Sequence, residues 1–226
     1  MSNIKLIAFD LDGTLLDSVP DLAIAADQAA QALGYPAVSE QQVRDYVGNG
    51  ADVLIGRSLS RSLTVDPSLS PELLTKARQL FDDYYEQSGH KLSHLYPAVK
   101  ETLAELHQAG FTLALVTNKP SKFVPDVLAK HGIDQYFSDV IGGDTFAEKK
   151  PNPMALNWLL EKHDCQPSEM LMVGDSSNDI KAAKNAGCRS FGLTYGYNHG
   201  EPIADSQPDF VADSIAELVD AVAVCA

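Results

Sequence analysis

Apolar and polar positions follow two different periods along this chain. The first segment, Ile4-Lys5-Leu6-Ile7-Ala8-Phe9, is nearly unbroken in apolar residues and runs into Asp10-Leu11-Asp12-Gly13-Thr14. That pattern predicts a buried strand breaking into a turn. From Asp17 the period becomes helical. Leu22, Ala25, Ala26, Ala29 and Leu33 recur on one face with Gly34 behind them, and Ser18 stands at the N-cap position. Ser39 with Gln42 forms a capping-box pattern for a second helix ending near Gly48-Asn49-Gly50, and Ala51 to about Arg61 reads as a third. Ser70-Pro71 opens a fourth, through Leu73, Ala77, Leu80, Phe81 and Tyr84. No segment between Asp17 and about Leu95 reads as a strand.

From Tyr96-Pro97 onward, short apolar strands alternate with helices. The strands are predicted at Thr112 to Val116, Val140-Ile141, Met170 to Val173, Ser190 to Leu193 and Phe210 to Ala212. The helices are predicted from Ala98 to Gln108, on to Lys130, from Pro153 to Lys162 and from Asp179 to Ala186, with a terminal helix capped by Ser214 and Glu217. Such alternation implies an α/β fold with a parallel sheet covered by helices on both faces. Ligands then bind at the carboxyl ends of the strands. The Tyr195 to Asp209 stretch, rich in Gly, Asn and Pro, reads as a surface connection, and Trp158 as core.

The 226 residues suggest one domain with a sizeable insertion, and a hydrophobic fraction of 45% is enough for a core. A formal net charge of −14 with no basic patch argues against nucleic acid or an anionic membrane as partner. An anionic small substrate would need local positive charge from a metal, a lysine or backbone amides. Cys165, Cys188 and Cys225 are odd in number and lack metal-type spacing, and no leader-like segment precedes Ile4, so a reduced, cytoplasmic protein is expected. No apolar run approaches the ~20 residues that cross a bilayer.

Candidate chemistry lies at the strand ends. In an extended chain Asp10 and Asp12 share one side, where two like charges share a proton or bind a cation, unless the segment is a solvated turn. Val116 is followed by Thr117-Asn118-Lys119-Pro120, and Val173 by Gly174-Asp175-Ser176-Ser177-Asn178-Asp179. Between them lies Glu148-Lys149-Lys150-Pro151. Singly these read as turns, caps or exposed charges; the ordered combination is far more specific. Arg57 reads as an exposed, salt-bridging arginine or a contact for a substrate carboxylate. His90 and His94 lack partners for a zinc site and read as structural.

DLDGT at Asp10 to Thr14, strand-end Thr117, Lys150 before Pro151, and Gly174-Asp175 with Asp179 together resemble the four motifs of the haloacid dehalogenase-like superfamily, over nearly the whole chain. The resemblance implies a three-layer Rossmann-like α/β core from residues 1–16 and 96–226, with residues 17–95 as an inserted all-helical cap. Runs in cap and loops, VGNGADVL from Val47, VTNKP from Val116, VIGGD from Val140 and GLTYGYN from Gly192, bring it near members that hydrolyse 2-phosphoglycolate. The implied reaction is Mg²⁺-dependent phosphomonoester hydrolysis. Asp10 is then the nucleophile forming an aspartyl-phosphate, and Asp12 the acid and base. Thr117 and Lys150 bind the phosphoryl group, and Mg²⁺ is held by Asp10, the Asp12 carbonyl and Asp175, with Asp179 nearby. Gly13, Thr14 and Asn118 complete the substrate contacts; in the cap, Gly48-Asn49-Gly50, whose glycines let backbone approach a ligand, reads as substrate-facing through Asn49 or as a helix-joining turn. Alternatives are another small phosphorylated metabolite, pyrophosphate, a phosphosugar mutase, or a silent relative that binds phosphometabolites. A monomer or homodimer is expected.

Overall fold

The computed structural model describes residues 3–223; Cys225 lies outside them. Strand β1 (Leu6–Phe9) is buried along its length. The chain then passes through a two-residue strand, β2 (Leu16–Asp17), into helices α1 (Val19–Ala32), α2 (Glu40–Tyr46), α3 (Ala51–Ser60) and α4 (Pro71–Ser88), and returns through β3 (His94–Leu95). There follow α5 (Val99–Gln108), β4 (Thr112–Val116), α6 (Val124–His131), β5 (Asp139–Ile141), α7 (Met154–Lys162), β6 (Met170–Gly174), α8 (Ser177–Ala186), β7 (Arg189–Leu193), β8 (Phe210–Ala212) and α9 (Glu217–Ala223).

Six strands form one parallel sheet in the order β5-β4-β1-β6-β7-β8. Successive side chains of β1 point to opposite faces. Ile7 and Phe9 enter one core with Leu103 of α5 and Leu218 of α9, while Leu6 and Ala8 enter another with Leu156 of α7 and Ala182 of α8. A strand buried on both sides must be apolar throughout, which explains the unbroken run before Asp10. The result is a three-layer α/β fold.

The four helices α1 to α4 have a hydrophobic core of their own, in which Ala25, Ala26 and Ala29 of α1 meet Phe81 and Tyr85 of α4. The small residues on α1 let the aromatic face of α4 pack closely. Ser39 and Gln42 make the capping box, and Ser70 accepts from the Leu73 N–H at 3.2 Å. The chain enters and leaves this helical unit through the antiparallel pair β2 and β3, Leu16 opposite Leu95 and Asp17 opposite His94. Two-residue strands carry no periodicity, so the sequence shows none there.

Several local expectations are corrected. Ser18 makes no side-chain cap; instead its N–H donates to the Tyr197 hydroxyl at 3.1 Å. Trp158 is 37% exposed and lies under Lys162, because Leu156, Leu159 and Leu160 occupy the buried stripe of α7. Arg57 forms no salt bridge among the described residues; its guanidinium donates to the carbonyls of Tyr46 and Leu63, each at 2.7 Å. His90, read as structural, is no such correction: it is buried against the rings of Tyr85 and Phe123. Among the described residues no helix is long and apolar enough to cross a membrane.

Candidate active site

The carboxyl ends of β1, β4 and β6 are neighbours because those strands are adjacent in the sheet. This brings Asp10, Thr117 and Asp175 together from separated parts of the sequence. Asp10 is buried, and its Oδ1 accepts from the Leu11 N–H at 2.7 Å and meets Lys150 Nζ at 3.0 Å. Oδ2 has no donor among the described residues. Lys150, from the loop before α7, also donates to Asp179 Oδ1 at 2.7 Å and to the Val116 carbonyl at 2.6 Å. An ammonium has three hydrogens, and here all three have acceptors. Of the two adjacent lysines, Lys150 is the buried one and Lys149 is not.

Asp179 stands at the third position of α8, where its Oδ2 accepts from the N–H and hydroxyl of Ser176 at 3.0 and 2.7 Å. Both its oxygens are thus engaged. Asp175 Oδ1 accepts from the Thr14 hydroxyl and Oδ2 from the Tyr197 N–H, each at 2.6 Å. The Tyr195 to Asp209 stretch is therefore no plain surface connection: its first residues fold back over the strand ends, and Tyr195 also donates to the Thr14 carbonyl at 2.7 Å. Gly13 and Gly196 are pressed against Asp175, where a Cβ would lie 2.3 and 2.2 Å from Oδ2. Gly13 in addition has φ +92°, a conformation side chains disfavour. Gly196→Ala is expected to displace the Asp175 carboxylate and weaken divalent-cation binding by about 10-fold or more, measured by calorimetric titration. Unchanged affinity would mean Asp175 takes no part in holding a cation.

On the other side, Asp12 accepts from Lys119 Nζ at 3.1 and 3.3 Å, and the same ammonium donates to the Tyr85 hydroxyl at 2.7 Å. Thr117 Oγ1 accepts from the Lys119 N–H at 3.2 Å, leaving the hydroxyl hydrogen free to donate. Asn118 donates to the carbonyls of Gly48 and Lys150 at 2.9 and 3.0 Å, and Asn178 donates to the same Gly48 oxygen at 3.2 Å. The helical unit is thereby tied to the strand ends through one glycine carbonyl. Asp10, Asp12, Thr117 and Asn118 line a cavity together with Gly48 and Gly50. Asn49 itself is not among the lining residues.

Lys119 and Tyr85 are the site residues that sequence reasoning misses. The lysine lies one position beyond Asn118 in a motif already singled out, and the demand for local positive charge in an acidic chain points to it. Tyr85 offers no such signal, since on α4 it reads as one more apolar helix position.

Electrostatics single out the carboxylates. Burial pushes the Asp10 carboxyl up to about 6, the Lys150 ammonium opposing and the Asp179 charge adding. Burial, then Asp179 and Asp10, hold Asp175 well above the usual carboxylate range. For Lys119, burial works against the charge, but Asp12 and Tyr85 outweigh it and raise its pKa above the ordinary lysine value. Ligand atoms of Asp10, Asp175 and Asp179 lie within 4.8 Å of one another, and the one ammonium touching them reaches Asp10 and Asp179 but not Asp175. An all-oxygen, buried cluster short of positive charge fits a hard divalent cation.

A buried carboxylate with one open oxygen at the end of β1, a threonine at the end of β4, a buried lysine and an acidic cluster on a parallel sheet define a class. A model of the haloacid dehalogenase-like hydrolases matches residues 7–193, and the chain belongs to that family. Two relatives named phosphoglycolate phosphatase are similar over essentially the whole chain. One, from Vibrio vulnificus strain CMCP6, is 78% identical over 99% of this chain and 98% of its own length. The other, from Vibrio cholerae serotype O1, is 77% identical over 100% of both. A crystal structure described as a predicted phosphoglycolate phosphatase from Haemophilus somnus superposes with a TM-score of 0.92 at 43% identity, covering 98% of this chain and 99% of the other.

Proposed function

We propose that this chain is a Mg²⁺-dependent phosphomonoesterase that converts 2-phosphoglycolate and water to glycolate and phosphate. The observation that carries the reading is the meeting of Asp10, Asp12, Thr117, Lys150 and Asp175 at three adjacent strand ends, in a chain 78% identical to a relative named for this activity. Residues 17–95 serve as a cap over those ends, contributing Gly48 and Gly50 to the cavity wall.

In the reaction the ionised Asp10 carboxylate attacks phosphorus. An Asp10 oxygen–phosphorus bond forms as the bond to the glycolate oxygen breaks, and Asp12 gives its proton to the departing oxygen. Water then attacks phosphorus, Asp12 takes its proton, and phosphate leaves with Asp10 restored. Thr117 donates its free hydroxyl hydrogen to a phosphoryl oxygen. Lys150, bonded to both Asp10 and Asp179, orients the nucleophile and balances its charge. Asp179, with both oxygens engaged, is a positioning residue for Lys150. The Asp10 and Asp175 carboxylates and the Asp12 carbonyl would hold Mg²⁺, which would supply positive charge at the phosphoryl group.

The test is a panel of phosphorylated metabolites assayed with Mg²⁺ and ranked by kcat/KM. 2-Phosphoglycolate is expected at or near the top. Excess chelator is expected to stop turnover and added Mg²⁺ to restore it. A different leading substrate overturns the specific assignment and leaves phosphatase chemistry standing; full activity in chelator overturns the metal role.

A further inference from the structure

We infer that Lys119 and Tyr85 together form the subsite for the second anionic group of the substrate, so that the enzyme selects esters carrying a carboxylate next to the phosphate. This rests on the phosphatase reading above and names the residues that give it its selectivity.

Lys119 is only 5% exposed, and a buried lysine is costly unless its charge is used. Among the described residues lining the cavity it is the one cation. Its Nζ donates to both Asp12 oxygens and to the Tyr85 oxygen. Because the phenol accepts from Lys119, its own O–H hydrogen is uncommitted. A positive charge and an adjacent free O–H donor thus stand at the wall of the space that holds Asp10 and Thr117. A carboxylate is drawn by the charge and accepts from the phenol.

The phenol oxygen is held in place by its ring. Phe81 stacks on Tyr85 with centroids 5.8 Å apart, and Phe123 and His90 meet it edge-on at 5.0 and 4.6 Å. Much of the remaining wall is carbon, from Leu22, Leu54, Phe81 and Phe123, with Asn118 a further polar side chain. Against the carbon part a polyhydroxylated tail would leave hydroxyls unpartnered, whereas a short tail ending in an anion meets the ammonium charge and the phenol. Lys150, Arg57 and Lys149, whose Nζ lies beside Gly50, are not among the residues lining this cavity.

The experiment compares kcat/KM for 2-phosphoglycolate and for ethyl phosphate, in which a methyl group replaces the carboxylate. The wild-type protein is expected to prefer 2-phosphoglycolate by about 100-fold or more, since a site built to bond a group rejects the analogue lacking it. In Tyr85→Phe, which keeps the ring and its packing, that ratio is expected to fall by roughly 10-fold or more, as for a hydrogen bond to a charged group. Lys119→Met should lower the ratio further; if it does not fold, Tyr85→Phe decides alone. A large wild-type ratio that Tyr85→Phe preserves overturns this subsite while the substrate assignment stands. A wild-type ratio near one overturns the substrate assignment and the subsite with it.

Discussion

Asp10→Asn is expected to abolish phosphate release, by at least ~10⁴-fold in kcat, while the fold stays in place. The amide cannot form the bond to phosphorus, and nothing else among the described residues offers a carboxylate with one oxygen pinned and the other open at that point. The fold is expected to survive because the charge being removed does not favour it. Folding raises the Asp10 pKa to about 6, above its unfolded value, so the folded state prefers the protonated form and any stability linked to that preference is lost as pH rises through 6. A neutral amide removes the conflict, and Lys150 keeps Asp179 and the Val116 carbonyl. The thermal midpoint at neutral pH in chelator is therefore expected to hold within about 3 °C or to rise. Release of phosphate at the wild-type rate would remove Asp10 as nucleophile. A large drop in midpoint would show that the charge supports the fold.

Lys150→Met is expected to damage stability and turnover together. The methionine matches the stem but leaves three buried carboxylates facing one another with no cation in contact. Breaking one side of a buried ion pair typically costs about 3–5 kcal/mol, and here two carboxylates lose the same partner. For a chain of this size that is a fall of roughly 6–20 °C in thermal midpoint. The variant also carries its own control. Divalent cations bind the folded cluster and not the unfolded chain, so added Mg²⁺ should recover more midpoint in the variant than in the wild type. Turnover should remain at least ~100-fold down even with Mg²⁺, because Asp10 loses its orienting partner. A midpoint insensitive to the substitution would mean that Lys150 is not the counter-charge for the cluster.

The contrast between these two neighbours bears on what a sequence discloses. Asp10, Thr117 and Asp175 are legible because each follows a run of apolar residues, and a parallel sheet collects such points at one edge; Lys150 is legible only through the proline that follows it, as in the family pattern. The strands and most helices are legible for the same reason: burial on one face or two imposes a period. Lys119 and Tyr85 are not, because their contact joins a strand-end loop to a helix by an encounter in space that no local pattern encodes. The return of Tyr195 and Tyr197 onto Thr14, Asp17 and Asp175 is hidden in the same way, since Gly- and Asn-rich composition states that a segment turns but not what it covers. Trp158 misleads in the opposite sense. Its apolar ring suggests the core, but the helix period places it beside the buried stripe, where Lys162 takes up its face.

The short ribbon of β2 and β3 has an evolutionary meaning. Leu16 faces Leu95 and Asp17 faces His94, so the chain leaves and rejoins the sheet-bearing part at adjacent points. Everything between them is, topologically, an insert at a single position, and exchanging it shifts no strand of the six-stranded sheet. Tyr85, Gly48 and Gly50 travel with the insert, whereas Asp10, Thr117, Lys150 and Asp175 stay behind. An exchange of that insert would therefore replace one wall of the cavity and leave the sheet-borne residues in place, with Lys119 on the sheet side of the joint and Tyr85 on the other.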